Sequence, residues 1–268
     1  MGGLMQDKLK TSKSEIALVH VNGILMDSSE IVRKLSKYRR DSKIKAIIVR
    51  IDSPGGAVAP AQEIHDEIYK IKESQKTVYA SLGSVAASGG YYIACAADYV
   101  LANPGTLTGS IGAIMAFNNV EELAKKIGVR PAVIKSGAFK DSGSPLRSLE
   151  PEERKLLQNV VDDVHQQFVQ AVSVGRNLPE EKVKQFADGR VMTGKQALDF
   201  DLIDEFGGLE KTIQLLGKKI GIVGYPSVLE EKEEVPFMDW LMQSVVSKNL
   251  TQSILPATGP RLQYLWQP

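Results

Sequence analysis

Two glycine pairs, each placed where an apolar strand gives way to a helix, constrain the fold of this chain most strongly. KIKAIIVRID (43–52) reads as a buried strand and is followed by SPGG (53–56), and KTVYASL (76–82) is followed by GSVAASGGYY (83–92). Nearly continuous apolar runs of this length are typical of strands that are buried on both faces of a parallel sheet. Strands that alternate with helices in this way predict an α/β fold built from β-β-α or β-α units.

The rest of the chain continues the alternation and suggests its boundaries. PEERKLLQNVVDDVHQQFVQAVSVGR (151–176) is the longest helical pattern, and its proline suits the first helical position. We expect a polar lead-in over residues 1–14, a single α/β domain over 15–225, and an acidic linker with an apolar tail over 226–268. Because no basic face accompanies the apolar residues of the tail, we expect it to pack on its own domain or on a neighbouring subunit.

Composition excludes several classes of function. The 268 residues carry 33 basic and 32 acidic side chains, a net charge of +1, which does not favour a nucleic-acid partner. The single cysteine, Cys95, rules out a disulfide within the chain and is expected to be a buried core thiol. We predict no metal site and no cofactor, because no histidine or carboxylate pair has ligand spacing. No apolar run approaches the length of a membrane span, and no signal-peptide pattern opens the chain.

The glycine turns suggest a particular chemistry. A Gly-Gly pair at a strand-to-helix junction lets backbone N–H groups point into a concave space, and two such turns side by side can form an oxyanion hole. Ser88 stands at the start of the second helix with the N–H of Gly89 beside its hydroxyl, as in a nucleophile elbow. The plainer interpretation is that this serine only caps the helix, although Ser84 is the more natural cap.

A serine nucleophile needs a base, and the sequence leaves its identity open. His20, His65 and His165 lie in a strand or in helices, away from the glycine turns, so nothing favours a Ser-His-Asp triad and nothing excludes one. A lysine can act instead when burial lowers its pKa from about 10.4 towards neutrality. Lys140 stands out because its segment, SGAFKDSGSP, is a loop of small residues after a strand.

Four motifs together resemble one known family. RIDSPGG, SLGSVAASGGYYIACAAD, TLTGSIGAI and SGAFKDSGSP occur in the order and spacing of the signal peptide peptidase A family, the short-form bacterial relatives of protease IV. The resemblance covers roughly residues 15–220. It implies an α/β fold of the ClpP/crotonase class, in which repeated β-β-α units form a spiral and make a single catalytic domain.

The resemblance also implies roles for individual residues. Ser88 matches the nucleophile of the family and Lys140 matches its general base. Gly55 and Gly89 match the donors of the oxyanion hole, and Ser110 matches the hydroxyl that orients the lysine. The implied reaction is hydrolysis of a peptide bond through an acyl-enzyme, with no cofactor and no metal.

Partners and location are likewise implied by the resemblance. The expected substrates are cleaved signal peptides, with small or apolar side chains beside the bond that is cut. The expected assembly is a ring of eight subunits in which serine and lysine meet across a subunit boundary. Members carry an N-terminal membrane anchor that this chain lacks, so we expect a soluble fragment of an enzyme whose catalytic domain lies on the extracytoplasmic side of the bacterial membrane.

Three alternatives remain open from the sequence. A crotonase-type acyl-CoA enzyme uses the same fold and a similar oxyanion hole. A related membrane-associated Ser-Lys protease could act on stomatin-like proteins. A ring that has kept the fold and lost turnover could serve as a scaffold.

Overall fold

A computed structural model describes residues 14–231 and 263–266 of the chain. The strands are β1 (Ile16–Asn22), β2 (Ala46–Ser53), β3 (Gly55–Ala57), β4 (Thr77–Ala87), β5 (Tyr99–Ala102), β6 (Leu107–Gly109), β7 (Val191–Thr193), β8 (Glu205–Phe206), β9 (Val228–Glu230) and β10 (Gln263–Leu265). The helices are α1 (Ser29–Arg40), α2 (Val58–Glu73), α3 (Gly89–Ala94), α4 (Glu121–Lys126), α5 (Pro151–Arg176), α6 (Glu180–Lys184), α7 (Gly194–Asp199) and α8 (Leu209–Lys219).

The central sheet is mostly parallel, which confirms the predicted α/β fold. Its order is β7-β6-β4-β2-β1-β9, and β5 pairs with both β4 and β8. The pairs β1·β2 and β2·β4 are parallel, and among the described strands of this sheet only β6·β7 is an antiparallel pair. The long strand β4 pairs with β5 near its start and with β6 near its end, so β6 lies beside the residues that lead into α3.

Helices cover both faces of this sheet. Alternate residues of β1 point to opposite sides: Val19 and Val21 belong to one buried cluster and Ile16 and Leu18 to another. The first cluster includes side chains from α1, α2, α3 and α5, and the second includes Ile213 and Leu216 of α8. Burial on both faces explains the continuous apolar runs of the parallel strands.

Some details of the predicted boundaries differ. Residues 228–230, expected in the linker, form β9 and pair with β1, so the sheet continues past residue 225. The lead-in before residue 14 and most of the acidic linker and tail, residues 232–262, lie outside the described residues. Cys95 is a buried free thiol as expected, and burial raises its pKa to about 12.

The described residues contain neither a helix suited to cross a membrane nor a cluster of metal-ligating side chains. None of the helices there is long and apolar enough to cross a membrane. Nor does that part of the chain contain three or more His, Cys, Asp or Glu side chains grouped to hold a metal ion.

Candidate active site

Ser88 occupies a strained turn between β4 and α3. Its backbone has φ 52° and ψ −118°, a conformation that costs free energy for any residue with a Cβ. The Ser88 side chain makes no capping hydrogen bond to α3, and Ser88 is 1% exposed. Ser84 lies inside β4 and cannot cap the helix, so that expectation is wrong. A strained serine at a strand-to-helix turn is the geometry of a nucleophile elbow.

Ser110 lies beside Ser88 on the neighbouring strand. Ala87 of β4 is in register with Gly109 of β6, and the Ser88 N–H donates to the Gly109 carbonyl at 2.8 Å. The residue that follows each of these two strand ends is a serine, Ser88 after Ala87 and Ser110 after Gly109. Ser110 also has a positive φ of 51°, and both serines line one cleft.

The two glycine turns are in contact, as the chain order of their strands led us to expect. Gly55 has φ +97°, and a Cβ on it would lie 2.6 Å from the Gly89 nitrogen. The Gly55 N–H donates to Ser53 Oγ at 3.1 Å. The Gly55 carbonyl accepts from the Leu25 N–H. Both polar groups of the Gly55 backbone are therefore already bonded within the fold.

The tail strand β10 lies in the cleft beside these turns. It pairs antiparallel with β3, with Tyr264 opposite Gly56. On its other edge, Gln263 exchanges two hydrogen bonds with Ile114, at 3.0 and 3.1 Å. The cleft therefore holds an extended peptide between two segments of backbone, which is a common mode of peptide recognition.

The register of this pairing places one carbonyl group at the glycine turns. The Trp266 N–H donates to the Pro54 carbonyl at 2.9 Å, whereas Gln263 makes its backbone hydrogen bonds to Ile114, away from β3. Hydrogen-bonded pairs alternate with non-bonded pairs along an antiparallel ladder, so the next hydrogen-bonded pair is Tyr264 and Gly56. The Tyr264 carbonyl oxygen is 2.0 Å from the position of a Cβ on Gly55 and 3.1 Å from that of a Cβ on Gly89. A peptide carbonyl thus lies against both turns. The residues that follow it, Leu265 and Trp266, line the cleft together with Ser88.

Lys140 is the one predicted site residue that this chain does not bring to the others. Its side chain is exposed, and it is not among the described residues that line the cleft at Ser88. It belongs to an arm between β6 and α5, residues 112–150. The arm exposes eight large apolar side chains, Ile114, Val120, Leu123, Ile127, Val129, Val133, Ile134 and Phe139.

An ion-pair network fixes the loop that carries Lys140. Arg147 donates to Asp141 at 3.0 Å and to Glu153, at the start of α5, at 2.8 Å. Lys135 also donates to Asp141, at 2.6 Å. Hydrogen bonds from Arg147 hold the pKa of Glu153 at about 2, and those from Arg147 and Lys135 hold the pKa of Asp141 well below its usual range. The loop is therefore anchored to the helix one residue away from Lys140.

We expect Arg147→Ala to lower kcat for peptide hydrolysis about 10- to 100-fold with little change in KM, because it releases the loop without touching substrate. The variant should also change the pH dependence of loop order. In the wild-type chain the depressed carboxyl pKa values stabilise the loop fully above about pH 4.5, and this contribution is lost as the pH falls towards 2. Hydrogen exchange of the backbone amides across residues 137–148, followed as a function of pH, measures how well ordered the loop is.

The matched control is Lys155→Ala, which removes an exposed cation from the same end of α5. It should leave both kcat and loop protection unchanged. Equal kcat values for Arg147→Ala and wild type would show that the network does not position the loop.

His165 is a cleft residue that the sequence did not reveal. It projects from α5 into the cleft that Ser88 and Asp162 also line, and its Nε2 is enclosed without a hydrogen-bond partner among the described residues. His20 bonds Glu230 and His65 bonds Asp66, both away from this cleft. The sequence gives one local indication of a site here, an aspartate and a histidine three residues apart on a helix. A solvent-exposed helix face shows the same spacing equally often.

Gly55→Ala should abolish most of any peptide hydrolysis. The new Cβ would lie 2.0 Å from the bound carbonyl oxygen and 2.6 Å from the Gly89 nitrogen, at a φ of +97° that disfavours alanine. We expect kcat/KM to fall about 10²- to 10³-fold, as large a loss as that of an oxyanion donor, because the new methyl group would occupy the place of the substrate carbonyl. Gly105→Ala is the control, since a Cβ there meets nothing within 4 Å. Full activity in Gly55→Ala would show that substrate carbonyls do not lie at this turn.

Comparison with known proteins agrees with this geometry. The model of peptidase family S49 matches residues 70–222, and the Clp protease model matches residues 11–108. The second match and the mostly parallel sheet confirm the expected ClpP/crotonase-like fold.

Three relatives carry protease names. A Synechocystis sp. protein named as a protease is 46% identical over 80% of this chain and 77% of its own length. An Enterococcus faecium protein named as signal peptide peptidase SppA is 36% identical over 78% of this chain and 64% of its own length. The chloroplastic serine protease SPPA of Arabidopsis thaliana is 38% identical over 75% of this chain, which spans 30% of that protein. Because all three relatives match at least 75% of this chain and the family model covers more than half of it, the chain belongs to peptidase family S49.

Proposed function

We propose that this chain is a serine endopeptidase with a Ser-Lys dyad, which hydrolyses remnant signal peptides in or near the bacterial membrane through an acyl-enzyme. The observation that carries the proposal is the tail strand in the cleft. An extended backbone lies between β3 and Ile114, with one carbonyl against the two glycine turns and Ser88 beside the same cleft. A protease must hold its substrate in this way before the serine attacks.

The proposed reaction starts with proton transfer. The uncharged amine of Lys140 takes the Ser88 proton as Ser88 Oγ adds to the peptide carbonyl carbon, and backbone N–H groups stabilise the oxyanion. The protonated amine then gives its proton to the leaving nitrogen as the C–N bond breaks. The same amine then takes a proton from water as the water oxygen adds to the acyl carbon, and it returns that proton to Ser88 Oγ as the ester bond breaks. Ser110 is proposed to accept a hydrogen bond from the lysine, which is supported by its position directly after Gly109, the register partner of Ala87.

The donors of the oxyanion hole are proposed to be Gly89 and Gly56. The resemblance assigned Gly55, but the Gly55 N–H is already donated to Ser53 Oγ. Gly56 faces the tail strand, opposite Tyr264, and its N–H is the one that the register directs to the bound carbonyl. Gly55 would then serve the site by its left-handed turn and by leaving room for that carbonyl.

Lys140 is proposed to act in the site of an adjacent subunit. Its exposure and its absence from the lining of its own cleft support this, as does the apolar surface of the arm that carries it. Assembly into a closed ring, of eight subunits by family resemblance, would cover this surface and complete each site. The membrane location and the signal-peptide substrates rest on the resemblance and on the name of the Enterococcus relative.

The test is hydrolysis by the assembled chain of a synthetic signal peptide, followed by mass spectrometry. A serine-reactive fluorophosphonate should label Ser88, and enoyl-CoA turnover, the crotonase alternative, should be absent. A stomatin C-terminal peptide is tested in parallel. Its cleavage in preference to the signal peptide would favour the related protease that acts on stomatin-like proteins. Failure of both hydrolysis and labelling would leave the scaffold alternative.

A further inference from the structure

The segment that follows β1, residues 23–25, forms a strap along the first glycine turn. The Leu25 N–H donates to the Gly55 carbonyl at 2.9 Å, and the Ala57 N–H donates to the Leu25 carbonyl at 2.7 Å. These two bonds make Leu25 and Gly56 parallel neighbours. The short strand β3 therefore lies between two extended segments, with the strap on one edge and the tail strand β10 on the other.

The Ser53 side chain ties the strap to the N–H of Gly55. Ser53 is fully buried, its hydroxyl donates to the Gly23 carbonyl at 2.6 Å, and its Oγ accepts from the Gly55 N–H at 3.1 Å. A hydroxyl can donate and accept at the same time, so one side chain makes both bonds. The Gly23 N–H in turn donates to the Asp52 carbonyl at 3.0 Å, which anchors the strap to the end of β2.

We propose that the strap and Ser53 position the oxyanion donor, because they bind the N–H groups of Gly55 and Ala57 and leave the Gly56 N–H to face the substrate. In an extended strand the N–H and C=O of one residue point to one edge, and those of the next residue point to the opposite edge. Both polar groups of Gly55 and the N–H of Ala57 are bonded on the strap side, so those of Gly56 point to the cleft. The inference rests on the proposed function for the reaction, and it makes Ser53 a positioning residue that acts through Gly55.

Close packing keeps this turn from moving. A Cβ on Gly56 would lie 2.1 Å from the Leu25 carbonyl oxygen and 2.6 Å from the Leu25 nitrogen, so the strap backbone lies directly against this glycine. A Cβ on Gly90 would lie 2.7 Å from the Ser53 carbonyl oxygen, so α3 also packs closely against Ser53. A donor that is fixed in this way before the reaction pays no reorganisation cost when charge develops on the carbonyl oxygen, which is what an oxyanion hole requires.

The test is Ser53→Ala in the full chain, which removes the hydroxyl and adds no volume. We expect kcat for hydrolysis of the synthetic signal peptide to fall about 10- to 100-fold, because the Gly56 N–H is displaced and not removed. KM should stay within about twofold, since the backbone hydrogen bonds that Ile114 and Pro54 offer to an extended peptide remain. Affinity for a peptide aldehyde, whose adduct with Ser88 places an oxygen in the oxyanion hole, should fall by the same factor as kcat.

The matched control is Ser81→Ala, and a second variant reaches the strap without the Ser53 side chain. Ser81 is fully buried on β4, and the one hydrogen bond of its hydroxyl among the described residues comes from Arg50, at 2.9 Å, so its loss should leave kcat and aldehyde affinity unchanged. Ala57→Pro removes the N–H that binds Leu25, and the φ of −64° at Ala57 already suits proline. It should lower kcat in the same range as Ser53→Ala. Unchanged kcat in both variants, or an equal loss in Ser81→Ala, would overturn the inference.

Hydrogen exchange separates this inference from the proposed function. Exchange of the Gly55 amide, located by mass spectrometry with electron-transfer fragmentation, should be about 10-fold faster in Ser53→Ala than in wild type, the effect of one lost hydrogen bond. That result with no hydrolysis by the wild-type chain would uphold the hold of the strap on the turn and reject the peptidase. Hydrolysis by wild type, with the same exchange rate and the same kcat in Ser53→Ala, would keep the peptidase and reject the strap.

Discussion

Ser88→Ala is expected to remove peptide hydrolysis almost completely, lowering kcat/KM by about 10⁴-fold or more. Among the described residues that line the cleft, only Ser88 stands in a strained turn between a strand and a helix. Alanine keeps the Cβ and therefore meets the same backbone strain as serine, so the fold should survive. A fluorogenic peptide assay and a thermal melt by circular dichroism measure the two effects.

Ser84→Ala is the matched control for this substitution. Ser84 lies four residues earlier, exposed within β4, and its loss should leave kcat/KM within about twofold, as for other surface changes. Labelling by the fluorophosphonate should persist in Ser84→Ala and vanish in Ser88→Ala. Hydrolysis that survives in Ser88→Ala at more than a few per cent would exclude this serine as the nucleophile.

The parts of the site that the sequence predicts are those fixed by local structure. Gly55 and Gly89 each follow a buried strand, and parallel strands that are adjacent in the sheet end at the same edge. Ser88 and Ser110 end a second adjacent pair in the same way. Both the turn residues and the order of successive strands can be recognised in short stretches of the sequence. These four positions could therefore be expected to lie together.

The parts that the sequence does not predict depend on distant contacts. The strand β10 has three residues and no periodicity of its own, and its partner β3 lies about 200 residues earlier. The N–H group available at the first turn depends on the Ser53 side chain, which no motif marks. His165 lies in the cleft because α5 crosses it. Helical periodicity alone cannot distinguish a position that faces a cleft from one that faces solvent.

Lys140→Ala should lower kcat about 10²- to 10⁴-fold, the range for a lost general base. The decisive measurement mixes this variant with Ser88→Ala after dissociation and reassembly. If each site takes its serine from one subunit and its lysine from the next, a random equal mixture contains intact sites in about a quarter of positions. Activity should therefore return to roughly a quarter of wild type although both parents are inactive.

His165→Gln is the competing variant, because His165 shares the cleft with Ser88 inside one chain. Glutamine keeps a polar side chain of similar length and cannot act as a base, so hydrolysis should persist if the lysine is the base. A base within the same chain would predict the opposite on both counts: Ser88→Ala mixed with Lys140→Ala would stay inactive, and His165→Gln would lose hydrolysis. That pair of results would replace the shared Ser-Lys site by a Ser-His site complete in each subunit.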